Sequence, residues 1–101
     1  MTIKRTMEND SSLLTVSGEL TSLTVEKLGS EMKAALEDVN VNKLIFDLKN
    51  LEYMSSAGLR VILETKKMID DRKGSLVIRN VTDEIMYIFE ITGFSDILNF
   101  E

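Results

Sequence analysis

The sequence predicts a single α/β domain, residues 1–101, whose sheet has about four or five strands with helices packed on one or both faces. Three observations support this prediction. The chain has 101 residues, which suits one domain with one core. Its 44% hydrophobic and 29% charged residues are typical of a globular chain, and no proline or Gly/Ser-rich linker divides it. Segments with a strand pattern alternate with segments of helical periodicity along the chain.

The first part of the chain predicts two strands and a helix. Thr2–Met7 alternates weakly and fits an edge strand, and Glu8–Asp10 has the composition of a turn. A second strand is expected at Leu13–Val16, ending at Ser17-Gly18. Thr24 stands where a helix N-cap is expected. Apolar residues then recur at helical spacing at Val25, Leu28, Met32, Leu36 and Val39.

The middle of the chain predicts a βαβ unit. Leu44–Leu48 is a nearly continuous apolar run, typical of a central strand buried on both faces. A second amphipathic helix follows, with its stripe at Leu59, Ile62, Leu63 and Ile69 and with Lys66 at the border. Arg72–Gly74 is expected to close this helix with basic residues and a C-cap glycine. Leu76–Ile78 is the next strand, parallel to the first because a helix connects them.

The last part predicts a third helix and a short strand. Thr82–Glu84 has the composition of a helix start, and Gly93 is placed to end the helix. Ile97–Phe100 fits a final short strand.

The composition excludes several classes of function. The chain has no His and no Cys, which removes Ser-His-Asp and Cys-His nucleophile systems, thiol chemistry and zinc sites with nitrogen or sulfur ligands. A net charge of −5 disfavours nucleic-acid binding, because phosphates require clustered Lys and Arg. No signal-peptide pattern and no apolar run of about 20 residues is present. We therefore expect a cytoplasmic protein with no cofactor and no nucleic-acid or membrane partner.

Two adjacent serines, Ser55 and Ser56, stand where the chain passes from the carboxyl end of a strand into a helix. Binding sites of open α/β sheets gather at this edge. One interpretation is structural, with one serine as the N-cap and the other merely small and polar. The other is a switch. A phosphate at a helix start is stabilised by the dipole and the free N–H groups, and its charge opposes a partner bound there.

The two residues after the serines are small. Ala57 and Gly58 leave the hydroxyl of Ser56 open to a kinase. Gly58 costs roughly 0.5–1 kcal/mol relative to alanine in the first turn of a helix. Either the close approach of a partner or tight packing of the helix on the sheet would explain this glycine.

These residues resemble the STAS family, in particular the small bacterial anti-sigma-factor antagonists. The resemblance covers nearly the whole chain. Ser17–Leu20 and Thr24–Leu28 are similar to the family's passage from the second strand to the first helix. Leu44–Leu48 looks like its central strand, and Tyr53–Leu63 looks like its signature loop and helix. Ile91–Phe94 also fits the family pattern.

The resemblance implies a mixed sheet and a regulatory role. Such proteins bind an anti-sigma factor that is also a serine kinase, and this binding releases the sigma factor. The kinase uses ATP to phosphorylate a serine of the loop, which blocks binding, and a serine phosphatase restores it. Ser56 occupies the position of that serine, and Ser55 is a second candidate acceptor. The partner-binding residues that we predict are Thr21, Ser22, Ser55, Ser56, Ala57, Gly58, Leu59 and Arg60.

Two positions depart from the family pattern. Ser55 stands where Asp often precedes the target serine, and Thr21 stands where many members carry Asp after the Gly-x-Leu of the second strand. These acidic groups would lie near the kinase, so their loss weakens the expectation of efficient phosphorylation. An alternative is therefore a STAS interaction module that acts without phosphorylation, as a scaffold or as a subunit of a sensory or transport complex.

An enzyme with Ser56 as its nucleophile is a third hypothesis. It needs an adjacent base, and in the absence of His only Lys or a carboxylate could serve. Lys66 and Lys67 lie two or more helical turns away from Ser56.

Overall fold

In the computed structural model, which describes residues 1–101, six strands form one mixed sheet and three α-helices pack on it. In chain order the elements are β1 (Thr2–Glu8), β2 (Ser11–Leu20), α1 (Val25–Leu36), β3 (Lys43–Asp47), β4 (Leu51–Met54), α2 (Ser56–Asp71), β5 (Ser75–Arg79), α3 (Asp83–Ile91), a short 3-10 helix (Phe94–Asp96) and β6 (Asn99–Phe100). No helix has the length and apolarity that crossing a membrane requires.

The central strand and the βαβ unit are confirmed. The sheet order is β1-β2-β3-β5-β6, so β3 lies in the middle, parallel to both β2 and β5. Residues Leu44 and Phe46 point into a core to which all three helices contribute, while Ile45 is buried outside that core. Because side chains alternate along a strand, this places the helices together on one face of the sheet.

Strand β2 is longer than the pattern predicted, and the prediction that it ends at Ser17-Gly18 is wrong. Gly18 adopts a φ of +94°, and the register shifts between Gly18 and Glu19. This bulge lets the strand continue to Leu20 while its parallel partner changes from β3 to β4. Strand β4 was not predicted from the sequence. It has only four residues and is buried only at its two ends, so it shows no strand periodicity.

The ends of α1 differ from the prediction. The helix ends at Leu36, and Val39, which the helical spacing included, lies beyond it and is exposed. Thr24 occupies the N-cap position but makes no cap hydrogen bond to the helix. Its Oγ1 instead donates to the carbonyl oxygen of Glu19 at 2.9 Å and accepts from the N–H group of Thr21 at 2.9 Å.

The end of α2 also corrects the prediction of a C-cap glycine. The left-handed residue is Lys73, with a φ of +60°. Gly74 is required for space, since a Cβ there would lie 2.4 Å from the carbonyl oxygen of Asn42. Lys66 does lie at the border of the apolar stripe, with its ammonium 2.8 Å from Asp70.

Helix α3 agrees with its predicted signals. Thr82 is the N-cap, and its Oγ1 accepts a hydrogen bond from the N–H group of Ile85. Gly93 follows the helix with a φ of +80°, and the last strand is confirmed in a shorter form at Asn99–Phe100.

Candidate functional site

The serine segment and the end of β2 form one site. The N–H group of Ser55 donates to the carbonyl oxygen of Leu20 at 2.8 Å. Leu20 is also the register partner of Met54, the last residue of β4. The loop that follows β2, Thr21–Thr24, therefore lies beside the start of α2, and the predicted residues Thr21 and Ser22 are brought close to Ser55 and Ser56.

Ser56 is the first residue of α2, and it is exposed. The first N–H groups of a helix have no acceptor inside the helix, and they carry the positive end of its dipole. The first turn of α2 contains no acidic side chain that would neutralise this end. The hydroxyl of Ser56 is thus accessible to a modifying enzyme, in surroundings that favour an anion.

Ser55 is in a different situation. It is the N-cap of α2, with extended backbone angles, and its carbonyl oxygen accepts from the N–H group of Leu59 at 3.1 Å. Its Oγ is buried and has no hydrogen-bond partner in the protein. Of the two candidate acceptors, only Ser56 presents its side chain to solvent.

Gly58 and Leu59 lie beneath this surface. A Cβ on Gly58 would lie 2.7 Å from Cγ and Cδ2 of Leu20 and 2.9 Å from Cγ of Met54. Tight packing of the helix on the sheet therefore explains this glycine, and close approach of a partner does not. Leu59 belongs to the core. Both residues hold the first turn of α2 in place, and their assignment to the partner-binding surface stays a prediction.

The loop after β2 is held by its own hydrogen bonds. The hydroxyl of Thr24 joins the loop to Glu19 and Thr21, and Oγ1 of Thr21 accepts from the N–H group of Leu23 at 3.2 Å. The loop therefore presents Ser22 and Leu23 to solvent in a defined geometry.

Two apolar residues at this site were missed by the sequence-based prediction of the partner surface. Leu23 is 92% exposed, and Tyr53 of β4, the register partner of Glu19, is 49% exposed. The only signal for Leu23 was a single large apolar residue in a polar loop, which is a common occurrence. The remaining predicted residues are arranged at the surface, with Arg60 exposed and Ala57 and Thr21 half-buried.

The centre of the site is uncharged, and the exposed residues Glu19 and Arg60 lie at its borders. The segments Leu20–Thr24 and Tyr53–Leu59 contain no charged side chain.

The pKa shifts of the protein occur elsewhere. The hydrogen bond from Arg79 holds the pKa of Glu8 below its ordinary value, and Arg79 also pairs with Glu101. Lys66, a conceivable base for Ser56, is engaged with Asp70. This arrangement suits recognition of a protein surface.

Comparison with known sequences identifies the family of this chain. The family model of the STAS domain matches residues 3–101. BtrV of Bordetella bronchiseptica is 35% identical over 97 residues, which cover 94% of this chain and 83% of that protein. The anti-sigma-B factor antagonist of Listeria monocytogenes is 37% identical over 86 residues, which cover 82% of this chain and 72% of that protein.

Solved structures share the fold. The anti-sigma factor antagonist SpoIIAA in its unphosphorylated form superposes with a TM-score of 0.78 at 17% identity, covering 99% of this chain and 87% of that one. The phosphorylated form of SpoIIAA from Bacillus gives a TM-score of 0.77 at 18% identity, covering 99% and 91%. Family model, relatives and fold agree, and the chain belongs to the STAS domain family.

Proposed function

We propose that this protein is an anti-sigma-factor antagonist, which binds an anti-sigma factor with serine kinase activity and thereby releases the sigma factor. One observation carries the proposal: Ser56 is exposed at the start of α2, beside the loop that the Ser55–Leu20 hydrogen bond holds against it. The relative from Listeria monocytogenes, 37% identical, is named an anti-sigma-B factor antagonist.

Phosphorylation of Ser56 is the proposed off-switch. The kinase transfers the γ-phosphoryl group of ATP to Oγ of Ser56, the hydroxyl proton leaves, and ADP is released. The phosphoserine carries about −1.5 to −2 charges. A serine phosphatase reverses the step by hydrolysing the phosphate ester. SpoIIAA, a structural relative, has been solved in both phosphorylated and unphosphorylated forms.

The uncharged centre of the site supports a strong effect of this charge. Thr21 and Ser55 replace acidic residues that the family pattern often contains, so the phosphate would be the first charge within Leu20–Thr24 and Tyr53–Leu59. A partner that fits the uncharged centre of this surface must then desolvate a dianion. Charges that are buried without a partner cost several kcal/mol, which corresponds to orders of magnitude in affinity.

The proposed partner surface combines polar and apolar residues. Ser22, Ser56 and Arg60 are exposed around it, and Leu23 and Tyr53 contribute apolar side chains. Binding energy at protein interfaces concentrates in a few such anchors, with polar residues around them. We assign Leu23 as the main anchor, because its loop holds it almost fully exposed.

Displacement of a sigma factor tests the proposal. The protein is added to preformed complexes of each kinase-type anti-sigma factor of the source genome with its sigma factor, and free sigma factor is quantified by size-exclusion chromatography. We expect release by the wild type and little release by Ser56→Asp. Asn40→Asp, which adds one charge in the exposed loop before β3, is the matched control and should behave as the wild type.

Two outcomes would contradict this account. If no such complex releases its sigma factor, the antagonist role is wrong. If Ser56→Asp releases as much as the wild type, the protein is a constitutive interaction module instead.

A further inference from the structure

The hydroxyl of Ser55 is an unexplained feature of the site. A serine at an N-cap normally accepts a hydrogen bond from an N–H group of the first helical turn. Ser55 has the backbone conformation of an N-cap but makes no such bond, and its buried Oγ has no other partner in the protein. A buried hydroxyl without a hydrogen-bond partner is unfavourable. A second state of the protein that supplies such a partner would be stabilised by the new hydrogen bond.

Hydrogen bonds hold the backbone of Ser55 in place, but none holds its side chain. The N–H group of Ser55 is bound to Leu20, and its carbonyl oxygen is bound to the N–H group of Leu59. Since no hydrogen bond holds the side chain, a rotation about χ1 would redirect Oγ and leave these backbone bonds intact. Next to Oγ lies the start of α2, a 16-residue helix whose first N–H groups lack intrahelical acceptors and whose first turn lacks an acidic side chain.

We propose that the start of α2 is a binding site for the phosphoryl group of phospho-Ser56, in which the Ser55 hydroxyl donates a hydrogen bond to a phosphate oxygen. The inference rests on the proposed modification of Ser56. A serine hydroxyl can donate to the dianion, whereas an ionised aspartate at this position only accepts hydrogen bonds. Ser55 is thus a positioning residue, which holds the phosphate against the helix and favours its fully ionised form.

The test uses protein with phosphoserine installed chemically at position 56, so that no kinase is needed. A ³¹P NMR titration gives the second pKa of the phosphate in the wild type, Ser55→Ala and Ser55→Thr. In the wild type we expect this pKa to lie below the ordinary value of about 6. Ser55→Ala should raise it by about half a unit, while Ser55→Thr, which keeps a hydroxyl, should stay near the wild type.

Ser30→Ala, a change at an exposed serine of α1, is the control and should leave the titration unchanged. The Ser55→Ala protein should fold, because the hydroxyl it loses has no partner in the unmodified state. A second readout is the change in melting temperature on phosphorylation, which should be less favourable in Ser55→Ala. Equal phosphate pKa values in Ser55→Ala and the wild type would overturn the inference. Failure of every kinase to modify Ser56 would instead contradict the proposed function, and would leave this titration result standing.

Discussion

The N–H group of Ser55 lies 2.8 Å from the carbonyl oxygen of Leu20 and donates a hydrogen bond to it. This bond joins the end of β2 to the start of α2, two segments that are remote in the sequence. Because Leu20–Thr24 and Tyr53–Leu59 lack charged side chains, the centre of the surface that they share is uncharged until Ser56 is modified.

A negative charge at Ser56 should abolish partner binding. Ser56→Asp adds a carboxylate to the uncharged centre of this surface, and we expect its affinity for the anti-sigma factor to fall by about 100-fold or more. Ser56→Ala removes only an exposed hydroxyl and should bind nearly as the wild type does. Isothermal titration calorimetry measures both affinities, and a loss of binding in Ser56→Ala as large as in Ser56→Asp would show that the effect is not one of charge.

Leu23 should be an anchor of the interface. Its side chain is 92% exposed, so Leu23→Ala should leave the free energy of unfolding nearly unchanged. Its affinity for the anti-sigma factor should fall by about 10- to 100-fold, the effect expected of an interface hot spot. Val39→Ala, which truncates an exposed residue after α1, is the control. Equal affinities of Leu23→Ala and Val39→Ala would remove Leu23 from the interface.

Gly58 and Gly29 should respond in opposite directions to the same substitution. Gly58→Ala forces a Cβ against Leu20 and Met54, so we expect a loss of about 1–2 kcal/mol of stability despite the better helix propensity of alanine. Gly29→Ala, within α1, meets no atom within 4 Å and should gain about 0.5–1 kcal/mol. Urea unfolding measures both. A stabilised Gly58→Ala would refute the packing explanation of this glycine.

The ion pair of Glu8 with Arg79 should make stability depend on pH. Arg79 lowers the pKa of Glu8, mainly through their hydrogen bond, from an ordinary value of 4.5. The unfolded chain then binds the proton more readily than the folded chain does. The ion pair therefore stabilises the fold at pH values above the ordinary pKa, and this stabilisation is lost as pH falls through the lower pKa of the folded state. The effect should be small and sensitive to salt, because the carboxylate is exposed.

Glu8→Gln isolates this contribution. Between neutral pH and about pH 3, the urea midpoint of the wild type should fall more than that of Glu8→Gln. Glu90→Gln, which removes an exposed carboxylate from α3, should retain the pH response of the wild type. Parallel losses in the wild type and Glu8→Gln would contradict the role of the pair.

Several elements could be predicted from the sequence because a strong local signal marked them. The apolar run at Leu44–Leu48 indicated the central strand, and Thr82 and Gly93 marked the ends of α3. Strand β4 and the bulge at Gly18 could not be predicted, since a four-residue strand has no period and a register shift depends on both neighbours of β2.

The site was predictable in part for the same reason. The spacing of Ser55, Ser56 and Gly58 indicated a helix start, but two explanations of Gly58 remained equal until Leu20 and Met54 were placed against it. The accessibility of Ser56 and the burial of the Ser55 hydroxyl depend on a strand pairing that no local pattern encodes. The phosphorylation of Ser56 stays a prediction.

The central claim is that a kinase-type anti-sigma factor modifies Ser56 and no other residue. Intact-mass spectrometry after incubation with ATP and each such kinase of the source genome tests it most directly, with wild type, Ser55→Ala and Ser56→Ala compared. We predict the addition of one phosphoryl group to the wild type and to Ser55→Ala, and none to Ser56→Ala. A phosphoryl group on Ser56→Ala, or no addition by a kinase that forms a stable complex with the wild type, would contradict the account.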